Sequence, residues 1–178
     1  MKSQRITMSK YSIVLDADKC TRCLACVAKC KKVNKFAARV FLVEPDRTPA
    51  TTAGMPHLFL HSCHHCAQPL CLAACPHEAM ARGEDGVVRV VAEKCNGCAA
   101  CVEACPWHIP VVAPGVGNVA GPAVKCTLCD GSAARGEEPA CVKICPEDAL
   151  SLVKVNALSR AVRAGYARRI LMHAFPGE

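Results

Sequence analysis

Cys20 to Cys30 reads CTRCLACVAKC and Cys95 to Cys105 reads CNGCAACVEAC, the same spacing, C-x2-C-x2-C-x3-C, twice at an offset of 75 residues. Ala25/Ala100 and Val27/Val102 are shared besides the cysteines. Three thiolates at intervals of three residues wrap one loop around three corners of a 4Fe–4S cube and leave the fourth corner to a distant residue. Two more groups flank these runs: Cys63, Cys66, Cys71, Cys75 and Cys126, Cys129, Cys141, Cys145. Each of these ends P-x-C-x3-C-P, from Pro69 to Pro76 and from Pro139 to Pro146, and the last carries seven more residues between its second and third Cys. All sixteen cysteines are used, four to a group. Pro76, Pro106 and Pro146 follow the last Cys of three groups, whereas Lys31 follows Cys30.

The rest of the composition agrees with metal-supported folding. Sixteen Cys stand in 178 residues with only 4% aromatic side chains, so apolar packing alone is a weak organiser and disulfides or metals are expected to supplement it. Met1 to Met8 shows no apolar secretory core and no twin-arginine pair, and no apolar run approaches the roughly 18 residues of a membrane span. The expectation is therefore a cytoplasmic protein without a membrane span, and reducing cytosol disfavours disulfides. Zinc ribbons join two separated cysteine pairs, while here triplets with a remote fourth Cys recur four times. Rieske ligation needs two His on one iron, but sixteen cysteines already complete four cubes.

Charge points the same way. The formal charge is +7, and four oxidised cubes at about −2 each bring the loaded protein to roughly −1. The basicity is thus mostly compensation, and nucleic-acid binding is not expected. Lys29, Lys31, Lys32, Lys35 and Arg39 flank the first group and suit a raised potential for its cluster, a docked acidic partner or a solvated face. Gly115 to Gly121 is G-x-G-x3-G between Pro114 and Pro122, with no room for a βαβ unit, and reads as a linker. No motif sets a base beside a Ser, and every Cys has a ligand role, so no catalytic residue is expected and the chain is read as no enzyme in itself.

The elements expected are those of an α+β fold. Ser12–Leu15, Val87–Val91 after the Glu84-Asp85-Gly86 turn, and Ser151–Val155 read as strands, with short turns of helix after each C-P. The 130–138 stretch is polar and Gly-containing and reads as a surface loop. From Asn156, a plausible cap, Leu158, Val162, Tyr166, Ile170 and Ala174 recur every four residues, which predicts an amphipathic C-terminal helix of about 19 residues. Spacing leaves the pairing of groups open: the 19 residues between Cys75 and Cys95 suit one arrangement, and the 20 between Cys105 and Cys126 another.

At the level of motifs, the chain resembles the four-cluster iron–sulfur subunits of molybdenum and tungsten oxidoreductases, those of dimethyl sulfoxide reductase and formate dehydrogenase among them. The resemblance covers about residues 10 to 155. It rests on Cys63-His64-His65-Cys66, the P-x-C-x3-C-P that follows, Cys105-Pro106-Trp107, Lys125 to Cys129, and the non-prolyl residue after Cys30. It implies duplicated two-cluster ferredoxin-like domains with a nested pairing. Cys20, Cys23, Cys26 with Cys145 would hold cluster a, and Cys126, Cys129, Cys141 with Cys30 cluster b. Cys63, Cys66, Cys71 with Cys105 would hold cluster c, and Cys95, Cys98, Cys101 with Cys75 cluster d. Residues 10–56 with 119–155 would form an outer unit, 57–118 an inner unit, and 156–178 the terminal helix.

The function implied is relay of electrons through four 4Fe–4S clusters to or from a large tungsten- or molybdenum-pterin catalytic subunit. In its brevity the chain looks similar to the small subunit of tungsten aldehyde oxidoreductases, the partner ranked first here. A free soluble polyferredoxin and the iron–sulfur subunit of a formate dehydrogenase or hydrogenase are the alternatives. A flavin- or NAD-linked subunit or a ferredoxin would be the second redox partner. Residues 156–178, beyond the last cluster motif, read either as a helix folded back onto the core or as a docking arm to the catalytic subunit or to another copy of the chain. His65 is placed either to donate a hydrogen bond near its cluster or to sit as a packed or surface histidine; Trp107 reads as packing.

Overall fold

Tyr11–Leu15 (β1), the first strand, is paired antiparallel with Leu150–Lys154 (β8), so that Ile13 faces Leu152 and Leu15 faces Leu150 across the two ends of the described chain. The computed structural model describes residues 9–34, 41–43, 59–117, 119–132 and 135–155. The expected C-terminal helix, together with Lys35 and Arg39, lies outside them. Among the described residues no helix is long and apolar enough to cross a membrane.

Three more two-stranded sheets follow: Phe41–Val43 (β2) with Phe59–His61 (β3), Met80–Arg82 (β4) with Val88–Val90 (β5), and Val111–Val112 (β6) with Ala123–Val124 (β7). The Glu84-Asp85-Gly86 turn joins β4 to β5; Gly86 has φ 77, and the Asp85 carboxylate accepts from Val87 N–H at 3.0 Å. The Gly115–Gly121 segment is not a linker. Val116 and Val119 bridge, and the segment closes the β6–β7 hairpin. The 118/119 boundary drawn between outer and inner units falls at this hairpin's tip.

The helices are Ala25–Val33 (α1), Leu70–Ala73 (α2), Ala100–Glu103 (α3), Leu128–Gly131 (α4, kinked at Cys129 and Asp130) and Ala140–Lys143 (α5). Their placement corrects the expectation of helix after each C-P. α2, α3 and α5 precede the C-P, because C-x3-C at helical pitch puts both thiols on one face and a proline cannot continue the hydrogen-bond ladder. Where Lys31 replaces proline, α1 runs on to Val33. Pro69 and Pro139 stand extended just before α2 and α5.

Two apolar clusters result. One gathers Ile13, Cys26, Cys30, Val87, Cys126, Leu128, Cys141, Val142 and Leu150; the other Met80, Val88, Cys101 and Ala123. Successive residues of extended chain face opposite sides, so Val87, just before β5, goes to the first cluster and Val88, the first residue of β5, to the second. The β4–β5 hairpin is the wall between them.

Candidate metal centres

The four-cysteine groups of the sequence are not the groups that share a space. Cys20, Cys23 and Cys26 line one cavity with Cys145 (cavity a), and Cys126, Cys129 and Cys141 line a second with Cys30 (cavity b). Cys63, Cys66 and Cys71 line a third with Cys105 (cavity c); Cys95, Cys98 and Cys101 line a fourth with Cys75 (cavity d). Each has three thiols from one loop and one from another segment. Cavity c, about 540 Å³ with its mouth, exceeds the other three, at about 340, 300 and 330 Å³ for a, b and d, because Leu70, Trp107 and Pro110 extend its wall.

Backbone geometry explains how short loops surround a space. The residue before the second Cys of each group is left-handed: Arg22 (φ 61), His65 (φ 47), Gly97 (φ 75) and Leu128 (φ 53). Leu24 (φ 59) and Ala99 (φ 63) repeat the turn before α1 and α3. Four of these six positions are neither Gly, Asn, Asp nor His, and such a backbone costs about 1–2 kcal/mol each. Three residues beyond Cys75, Cys105 and Cys145, Glu78, His108 and Asp148 are left-handed as well. That turn aims the next amide at sulfur: Ala79 N–H donates to Cys75 Sγ at 3.2 Å and Ala149 N–H to Cys145 Sγ at 3.3 Å. Ala123 N–H donates to Cys95 Sγ at 3.2 Å, Leu128 N–H to Cys126 Sγ at 3.5 Å and Ala140 N–H to Cys129 Sγ at 3.5 Å.

The donor chemistry fits an iron–sulfur group. Burial, reinforced by the neighbouring thiols of its own cavity, pushes Cys141 up to about 12, and burial above all pushes Cys126 and Cys101 up to about 11. Burial raises Cys26 and Cys71 too. At neutral pH such thiols stay protonated until a cation draws the protons off, and soft thiolates select iron–sulfur clusters, zinc or Cu(I). Among the described residues no three His, Cys, Asp or Glu side chains converge on a point that would hold a single ion. Four thiols line each cavity, one for each iron of a cube.

Cavity c has further polar lining. His65, 2% exposed, accepts from Val88 N–H at Nδ1 (3.2 Å), which leaves the proton on Nε2. That Nε2 has no protein partner among the described residues, and an inorganic sulfide is an acceptor such a donor suits. Burial first, then the charges of Lys125 and Arg89, hold His65 down at about 3, so it stays neutral. Lys125, 2% exposed, donates to Val88 O, to Cys126 O at 3.3 Å and to Cys63 Sγ at 3.5 Å. The sequence places Lys125 only within its motif; its contacts with Val88 and Cys63 join residues distant in the chain and carry no local signal. Trp107 is 56% exposed, stacked edge-on to His64 at 5.4 Å, and its carbonyl meets His61 Nε2 at 2.7 Å.

Comparison with known proteins agrees with this chemistry. Residues 56–155 match the family described as 4Fe-4S dicluster domain, and residues 17–34 a 4Fe-4S binding domain. A polypeptide of the polysulfide reductase of Wolinella succinogenes is 36% identical over 148 residues, 80% of this chain and 75% of that one. The thiosulfate reductase electron transfer subunit PhsB of Salmonella typhi is 36% identical over 153 residues, 83% and 78% of the two chains. A protein of Halobacterium salinarum named for the iron-sulfur subunit of dimethyl sulfoxide reductase is 32% identical over 170 residues, 80% and 65%.

Proposed function

The chain belongs to the 4Fe–4S dicluster family, and from that membership we propose that it is a non-catalytic subunit relaying electrons through four 4Fe–4S clusters, one per cavity. The ligands would be Cys20, Cys23, Cys26 and Cys145 in a; Cys30, Cys126, Cys129 and Cys141 in b; Cys63, Cys66, Cys71 and Cys105 in c; Cys75, Cys95, Cys98 and Cys101 in d. Residues 10–56 with 119–155, and 57–118, are then the outer and inner units. Each cube, when bound, takes up and returns one electron at a potential set by its surroundings.

The observation that carries the reading is the sharing of short elements between cavities. α1 bears Cys26 of cavity a, with Cys30 of cavity b one turn on. α2 bears Cys71 of c and leads to Cys75 of d, while α3 bears Cys101 of d and leads to Cys105 of c. The peptide Lys125-Cys126 joins c to b. The cavities thus run a, b, c, d, one turn of helix or one side chain apart, as a relay needs.

The partner in this reading is a large metal–pterin catalytic subunit. Relatives named for polysulfide, thiosulfate and dimethyl sulfoxide reductases favour a reductase of sulfur compounds with molybdenum; a tungsten aldehyde oxidoreductase is the second reading. Cluster loading needs reduced thiols, so the cytoplasm is the proposed place of assembly. The test is anaerobic native purification of the chain with its partners and analysis of iron, acid-labile sulfide, molybdenum, tungsten and zinc. About sixteen iron atoms per chain with a molybdenum subunit supports the first reading, and tungsten the second. Iron-rich chain alone indicates a free carrier, and colourless zinc protein sinks the proposal.

A further inference from the structure

Among the described residues, the buried polar side chains other than Lys125 are Ser9, Ser62, His65, Thr127 and Ser132. None supplies a fixed cation, since His65 accepts a hydrogen bond at Nδ1 and is neutral. Lys125 is therefore the one Lys or Arg side chain buried among the described residues, and its Nζ donates to two carbonyls and one thiol sulfur. Two carbonyl dipoles do not neutralise an ammonium, which out of water calls for a counter-charge. The sulfur it reaches belongs to cavity c, and its own chain neighbour Cys126 lines cavity b. Cavities a and d have no such cation in their walls.

We propose that Lys125 is a positioning residue for the relay: held by Val88 O against Cys63, it raises the reduction potential of the cluster in cavity c above the value that cavity would otherwise give. The proposal rests on the reading that each cavity holds a cluster. A reduced cluster carries one more negative charge than an oxidised one, so a fixed cation at one sulfur favours the reduced state, and low local dielectric strengthens the effect. The effect on cavity b is smaller, because there the ammonium meets the Cys126 carbonyl and not its sulfur.

The competing role is mechanical: Lys125 ties β5 to the Lys125–Cys126 strand end and nothing more. Potentials separate the two. The full chain, purified anaerobically with whatever subunit accompanies it, is compared with K125M, which keeps the stem and loses the charge, and K125Q, which keeps a neutral donor. Iron is counted, and the clusters are titrated with dithionite under electron paramagnetic resonance, the cavity-c signal being the one that Cys66→Ser perturbs. The expected result is full iron in both variants and a fall of at least tenfold in the reduction equilibrium of that one signal, which for one electron is about 59 mV, with the cavity a and d signals unmoved. Midpoints within threefold of wild type in both variants overturn the proposal, and so does loss of iron in both, which assigns Lys125 to the fold. Wild-type chain with far fewer than sixteen iron atoms fails earlier and overturns the cluster reading itself.

Discussion

At Cys30 a side chain does what the backbone does elsewhere. Behind Cys75 and Cys145 a proline ends the helix, a left-handed residue turns the chain, and the amide four residues on donates to sulfur. Lys31 lets α1 continue, so the Asn34 amide is spent on Cys30 O at 3.0 Å, and the Asn34 Nδ2 group donates to Cys30 Sγ at 3.3 Å and to Cys30 O at 2.8 Å. Asn34→Leu is expected to lower the midpoint of the cluster in cavity b and to cost about 1 kcal/mol of stability, read by redox titration and by urea unfolding. A second residue prediction concerns the β4–β5 turn. The hydrogen-bonded Arg89 guanidinium, 2.6 Å away, holds Asp85 down at about 2 from an ordinary 3.8. A depressed carboxylate stabilises above its unfolded value, so the pair's contribution, at most about 2 kcal/mol, is complete above about pH 5 and fades as pH falls through 4 toward 2. The difference in urea midpoint between wild type and Asp85→Asn should shrink over that window. All sixteen cysteines were legible as ligand candidates from spacing. Lys125 was not, because its partners Val88 and Cys63 lie 37 and 62 residues away and a lysine before a cysteine says nothing about what its far end meets.

Helices of four residues lie below the length at which periodicity can be read, which is why their position relative to each C-P was misjudged while β1, β5 and β8, with their β-branched runs, were placed to within a residue or so. The same limit hid the β6–β7 hairpin, whose strands are two residues long and whose tip is rich in glycine. α1 is long enough to test the shared-element argument. One alanine inserted between Val27 and Ala28 turns Cys30 by about 100° relative to Cys26 and should empty cavity b while sparing c and d, a loss of about four iron atoms per chain. Gly97 gives a second element test. It has φ 75, and a Cβ there would stand 2.5 Å from Gly121 O and 2.7 Å from Ala120 Cβ, so the Cys95–Cys98 loop is seated on the β6–β7 hairpin. Gly97→Ala should displace that loop and cost the cluster of cavity d, seen as missing iron and a lost resonance signal.

For the molecule as a whole, the proposed ligands are also core residues: Cys26, Cys30, Cys126 and Cys141 are four of the nine buried residues of the first apolar cluster. Stripping iron with a chelator should therefore hollow out both clusters and abolish cooperative unfolding, followed by circular dichroism on the stripped and reconstituted chain, since a small apolar remainder does not close over cavities of this size. The antiparallel match of β1 with β8 has a consequence of another kind, in the order of synthesis. Cavities c and d have all their cysteines once the ribosome has passed Cys105, but a and b wait for Cys141 and Cys145, the same segment that supplies β8. During translation Cys20 to Cys30 emerge first and are completed last. The nascent thiols of Cys20 to Cys30 wait for β8, so a chain released after Lys125 and before Cys141 would carry its inner pair of sites complete and its outer pair open.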